Sequence, residues 1–183
     1  PYLRFLRNHV GVSTISVSIS SFNDAENNAI IHTPSAHPVQ LESLCAAIKK
    51  YDFNLRLSVN MTKHFDMYRT EPHEFFDICR GLGADQVTLR VLYADGETDQ
   101  AKWVRENAAD GATIDRLRIL TQYSGRELEQ LEFGRTKYSI HGMGTVIDND
   151  CMAQEAKDVY KYLILRPNCK LYSKWDDRGS LIF

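Results

Sequence analysis

Three stretches of this chain, residues 13–20, 55–61 and 86–93, alternate between aliphatic and polar side chains with a period of two. Ile15, Val17 and Ile19 form the aliphatic row of the first, Leu55, Leu57, Val59 and Met61 that of the second, and Val87, Leu89 and Val91 that of the third. The alternate positions are polar: Ser16, Ser18 and Ser20, then Arg56, Ser58 and Asn60, then Thr88 and Arg90. Side chains of a strand point alternately to its two faces, so each stretch predicts a strand with a dry side and a wet side.

Helical patterns lie between them. Leu41, Leu44, Cys45 and Ile48 recur at the spacing of an amphipathic helix, with Pro38 placed at its start and Lys49-Lys50 in its last turn. Phe75, Ile78, Cys79 and Leu82 repeat the pattern between Pro72 and a capping Gly83. Strands alternating with helices predict an α/β fold: a partial, open (β/α) barrel of parallel strands joined by crossover helices. Parallel sheets usually hide both faces and read as continuous apolar runs. A polar row on every strand therefore points to a cavity with a polar occupant. The competing reading is a sheet face lying in water, with Arg56 reaching out from its strand start.

The remaining segments are less regular. Tyr2, Leu3, Phe5 and Leu6 give an apolar helical stripe that ends near Asn8-His9, before Gly11. Residues 20–38 are polar and predict a long loop, as does the stretch before Pro72. Residues 97–107 predict a polar helix with Trp103 on its buried side, and 113–120 a second. Residues 124–133 predict a third, because Ser124-Gly125-Arg126-Glu127 has the form of a capping box. Strands are expected at 138–141, 145–147, 160–165 and 170–175. A turn at 176–179 then closes a C-terminal β-hairpin, so that 1–95 holds the β/α units and 96–183 completes the same domain.

Among 183 residues, 22 are Lys or Arg and 24 are Asp or Glu, so no net field favours nucleic acid or an anionic surface. The basic residues are scattered and do not alternate with aromatics, which argues against single-strand binding. No apolar run reaches the roughly 18 residues that span a bilayer, and no signal-peptide pattern is present. Four cysteines, Cys45, Cys79, Cys151 and Cys169, are too far apart in sequence for a local metal site, and Cys45 and Cys79 fall on apolar helix faces. These features predict a cytoplasmic protein with reduced thiols and no metal ligands of its own. The chain begins at Pro1, and an uncapped helical stripe follows at once, which leads us to expect an element upstream.

The candidate chemistry lies in the wet rows. Ser18, Ser58 and Asn60 offer neutral donors and acceptors, and Arg90 a forked cation suited to a carboxylate or phosphate. His37, His64 and His73 sit near loops leaving strands, where α/β sheets bind ligands, but lone loop histidines are more often solvated than catalytic. His141-Gly142-Met143-Gly144 predicts a tight hairpin or bulge in preference to a phosphate cradle. Tyr172 and Trp175 are expected in a core or an interface.

The order of these segments resembles a known family. Residues 12–23 (VSTISVSISSFN) are similar to the fourth-strand region of radical S-adenosylmethionine enzymes of the molybdenum-cofactor-biosynthesis type, where an aliphatic strand ends in V-S-L-D-S. Residues 44–53 resemble the following A-I-K-K-x-G-F helix, and residues 55–61 the next polar-rowed strand. Leu82-Gly83-Ala84-Asp85-Gln86-Val87 resembles the L-G-A-D-x-V entry to the strand after. The likeness covers residues 1–95 and recurs more faintly at 162–172. It implies an incomplete (β/α)₆ barrel whose polar interior holds S-adenosylmethionine beside a four-iron four-sulfur (4Fe-4S) cluster that generates a 5′-deoxyadenosyl radical. Carried over by position, Ser18, Ser58 and Asn60 would contact the cofactor, with Arg90 a looser match. The family's C-x-x-x-C-x-x-C loop is absent, so the resemblance implies the C-terminal portion of such an enzyme, its cluster ligands outside this chain. The alternative is a cluster-free, non-catalytic binding or assembly module on the same scaffold.

Overall fold

The computed structural model describes residues 2–94, 96–131, 135–149, 164–165, 168–172 and 181–182. The chain divides into two compact units, Pro1–Cys151 and Met152–Phe183. The shift of sequence pattern near residue 95 falls inside the first.

The first unit opens with a short helix, α1 (Tyr2–Phe5), which widens into a π-helical turn over Leu6–Val10 and stops at Gly11. At φ 78°, Gly11 holds a left-handed conformation open to a residue without a Cβ. The three alternating stretches form β1 (Thr14–Ile19), β2 (Asn54–Asn60) and β3 (Gln86–Arg90). Two helices, α2 (Asp24–Ile30) and α3 (Leu41–Lys50), join β1 to β2, and α4 (Pro72–Gly81) joins β2 to β3. After β3 come α5 (Asp99–Asn107) and α6 (Gly111–Ser124), then β4 (Arg126–Gln130), β5 (Thr136–Ile140) and β6 (Met143–Asp148).

These strands make one six-stranded sheet in the order β1-β2-β3-β6-β5-β4. The first four run parallel, and β5 pairs antiparallel with both β6 and β4. The sheet is open, with β1 and β4 as its edges. The architecture is therefore the expected one: α/β, mostly parallel, with crossover helices and no closure. In the second unit, β7 (Ile164–Leu165) pairs antiparallel with β8 (Leu171–Tyr172), and Tyr172 also bridges to Leu181.

The dry row supplies the core. Ile19, Leu55, Leu57, Val59 and Val87 are wholly buried, and they cluster with Cys45 and Ile48 of α3, Phe75, Phe76 and Cys79 of α4, and Leu117 of α6. Each such aliphatic side chain contributes about 1.5–3 kcal/mol on burial. Phe22, Phe65, Tyr68 and Phe75 pack edge-on or tilted at centroid distances between 5.3 and 5.9 Å. That cluster ties the segments leaving β1 and β2 to α4.

Several expectations are corrected. Residues 20–38 hold a helix, α2, with Asn23 as its cap: the side chain accepts from Glu26 N. This helix carries no apolar stripe because amides fix it instead. Asn27 is buried and its Oδ1 accepts from Ser20 N at 2.8 Å, while Asn28 bonds both N and O of Val39. α3 begins at Leu41 after Gln40, not at Pro38. The loop before Pro72 contains a 3-10 helix, Lys63–Arg69, that buries Phe65 and Tyr68. Trp103 lies on the exposed side of α5, which buries Ala101 and Val104.

The largest difference is in the expected helix 124–133, of which residues 124–131 are described: no helix begins there. Instead α6 runs through to Ser124, and Gly125 donates to Thr121 O. A Cβ on Gly125 would stand 2.2 Å from that carbonyl, so glycine permits the close approach. The chain then extends as β4 against β5. All five residues of β4 are exposed, so backbone pairing with β5 holds the strand in place of side-chain burial.

Candidate functional site

The wet rows lie side by side on one face of the sheet. Ser16 of β1 is in register with Arg56 of β2, which pairs with Gln86 of β3. One step along the strands, Ser18, Ser58 and Thr88 form a row of three hydroxyl residues. At the next step, Asn60 of β2 is level with Arg90 of β3, and Arg90 with Asp148 of β6. Parallel register thus brings Ser18, Ser58, Asn60 and Arg90 together from three strands.

Exposure rises toward the β1 edge. Ser16, Ser18 and Arg56 are exposed, Thr88, Asn60 and Arg90 are half-buried, and Ser58 retains 8% of its surface. Arg56 donates through Nε to Gln86 Oε1 at 2.8 Å, an exposed bond that agrees with an arginine reaching into solvent. Asn60 donates to Ser20 Oγ at 3.2 Å, and Thr62 Oγ1 to Ser20 O at 2.6 Å, which fixes the chain where it leaves β1. Among the described residues, the Arg90 guanidinium has no hydrogen bond or ion pair.

Sequence reading missed the partners that frame this cation. Asp148 is 5% exposed and pairs with Arg135 at 3.3 Å. Among the described residues, the carboxylate level with Arg90 is thus already paired with a second arginine. The signal for Asp148 was its place one residue after the 145–147 strand. Arg135 precedes β5 and carried no signal of its own.

Two of the three loop histidines have partners. His64 Nδ1 lies 2.8 Å from Glu26 Oε2, and Ser21 Oγ donates to the same oxygen at 2.7 Å. His73 Nδ1 meets His141 Nε2 at 3.0 Å, away from the polar rows. His37 is exposed. His141-Gly142 is a two-residue turn between Ile140 and Met143, so the hairpin expectation holds and the phosphate cradle does not.

A recess of about 330 Å³ opens in the helical layer between Phe22, Leu41, Ile78 and Leu82, with Asp24 and Glu42 at its rim. Its acidic lining is the wrong sign for an anion, and it contains none of the polar-row residues.

Cys45 and Cys79 are buried in the core as expected. Burial pushes the Cys45 thiol up to about 11. It pushes Cys79 higher still, with Cys45 adding to the rise. Cys169, in the second unit, is exposed; Cys151 and Trp175 lie outside the described residues. No group of three His, Cys, Asp or Glu able to hold a metal occurs among the described residues, and no described helix is long and apolar enough to cross a membrane. No protein-family model matches this chain, and no curated protein matches it either.

Proposed function

We propose that the polar face of β1, β2 and β3 binds S-adenosylmethionine, with Ser18, Ser58, Asn60 and Arg90 as its contacts. The observation that carries this reading is Arg90, a half-buried guanidinium without a side-chain partner among the described residues, set beside a row of hydroxyls. S-adenosylmethionine carries one carboxylate, which a guanidinium recognises with two parallel bonds. Its ribose and adenine offer the donors and acceptors that serine hydroxyls and an asparagine amide complement. Arg90 and Asn60 lie at the carboxyl ends of parallel strands, the edge at which open α/β sheets receive ligands.

A four-iron four-sulfur cluster is a different matter. It is held by clustered cysteine thiolates. Cys45 and Cys79 are buried with their thiols kept protonated, and Cys169 is a lone exposed thiol. The described cysteines do not fit such a cluster. The role assigned to these strands is therefore to bind and orient the cofactor, whose chemistry is its own.

Calorimetric titration of the chain with S-adenosylmethionine tests this. Saturable 1:1 binding is expected, with Arg90→Gln weakening it by about tenfold or more, the loss typical of a hydrogen bond to a charged group. Absence of binding to a folded chain at millimolar cofactor would overturn the reading in favour of a cluster-free assembly module.

A further inference from the structure

A second cluster of titratable groups lies where α4 meets the β5–β6 turn. His141 and Gly142 occupy the two turn positions at φ 49° and 83°, the left-handed pair of a type I′ hairpin. The imidazole of His141 is held at both nitrogens. Its Nδ1 lies 2.9 Å from Asp77 Oδ1, and its Nε2 3.0 Å from His73 Nδ1. His73 and Asp77 are four residues apart on α4 and so share one face of that helix. Arg80 ion-pairs with the same carboxylate oxygen at 3.2 Å, and the Phe76 ring lies against His141 at 5.9 Å.

Hydrogen-bond chemistry gives this chain a direction. A carboxylate accepts, so His141 Nδ1 must carry the proton that faces Asp77. In a neutral imidazole the other nitrogen then bears a lone pair, so His141 Nε2 accepts and His73 Nδ1 donates. The two ring centroids are 5.2 Å apart and their planes 27° from parallel. With the nitrogens only 3.0 Å apart, the rings meet edge to edge and nearly in line. That is the geometry of N–H···N donation and not of stacked faces.

We propose that Asp77, His141 and His73 form an acid-sensitive latch that holds the β5–β6 turn against α4. One proton from solvent adds at His73 Nε2, the open basic nitrogen, and both hydrogen bonds survive. A second must add at His141 Nε2, where it faces the Nδ1–H of His73. The N–H···N bond is then lost and two imidazolium charges confront each other, so the turn comes away from α4. The charged groups that touch the array among the described residues are Asp77 and, through its carboxylate, Arg80. Glu74 neighbours His73 on α4 without a hydrogen bond to it.

Imidazole nitrogen shifts of the whole chain, labelled with ¹⁵N and ¹³C, test the latch directly. At neutral pH both His141 and His73 are expected as the Nδ1–H tautomer; an Nε2–H tautomer at His141 would overturn the proposal without any variant. Amide exchange through residues 140–144, corrected for its intrinsic pH dependence and compared with Leu57, is the second readout. It should rise by about tenfold or more once acid has charged both rings, the change expected when a hydrogen bond to a charged group is lost. In His73→Ala that extra rise should vanish, and an equal rise in variant and wild type would refute the latch.

Discussion

Leu57 and Ser58 are consecutive residues of β2 that face opposite sides of the same sheet. Leu57 has no exposed surface and sits among residues from three helices. Ser58 lies in a row with Ser18 and Thr88, and among the described residues no side chain bonds any of the three hydroxyls. One face is fixed many times over by packing, and the other holds polar groups whose partners are not needed for folding. Groups of that second kind are the ones a ligand can use without opposing the fold.

Substitutions can break this contrast. The largest effect belongs to the dry side: Leu57→Ala should cost about 3 kcal/mol in urea unfolding, the loss of a fully buried leucine plus the cavity it leaves. A cost below about 1 kcal/mol would mean that the helical layer is loosely packed on the sheet.

The buried thiols give the next largest effect, and its sign is fixed. An unfolded cysteine ionises near 9.0 and the folded Cys45 near about 11. The folded chain therefore binds more protons between those values. Stability from this group is fully present below pH 9.0 and is lost as pH rises toward about 11, by roughly 2 kcal/mol. Cys79 acts in the same direction. The urea midpoint should fall as pH rises across this range, and it should fall less in Cys45→Ala.

Asn27→Ala is expected to cost about 1–2 kcal/mol, because it leaves the buried Ser20 N–H without its acceptor. On the wet side, Ser18→Ala and Arg90→Gln should change stability by no more than about 0.5 kcal/mol. If Arg90→Gln instead destabilised the chain by more than about 2 kcal/mol, Arg90 would be structural and the contrast between the faces would fail. Thermal and urea unfolding of the two variants beside wild type decides this.

The same contrast explains which parts of the molecule were legible. β1, β2 and β3 alternate strictly, and α3 and α4 bury clear stripes, so local pattern and tertiary role agree. α2 was hidden because its polar side chains act through specific bonds, Asn27 to Ser20 and Asn28 to Val39. The 3-10 helix was hidden by the charges around Phe65 and Tyr68, and hydropathy says nothing about where such a segment docks. For residues 126–130 the local signal favoured a helix, and pairing with β5 decided otherwise. Of the candidate site, Ser18, Ser58, Asn60 and Arg90 could be read from alternation, while Asp148 and Arg135 could not, because their relation to Arg90 is one of register between distant strands.

By itself the sequence determined the strands with two faces, the helices that separate them and the polarity of each row, since these depend only on the period of side chains along a local backbone. Tertiary structure alone decided that β6 would lie beside β3, that β4 would be a strand, and that Arg90 would stand level with Asn60 and Asp148. Those outcomes rest on hydrogen bonds and packing between segments far apart in the chain, and no local pattern encodes such pairings.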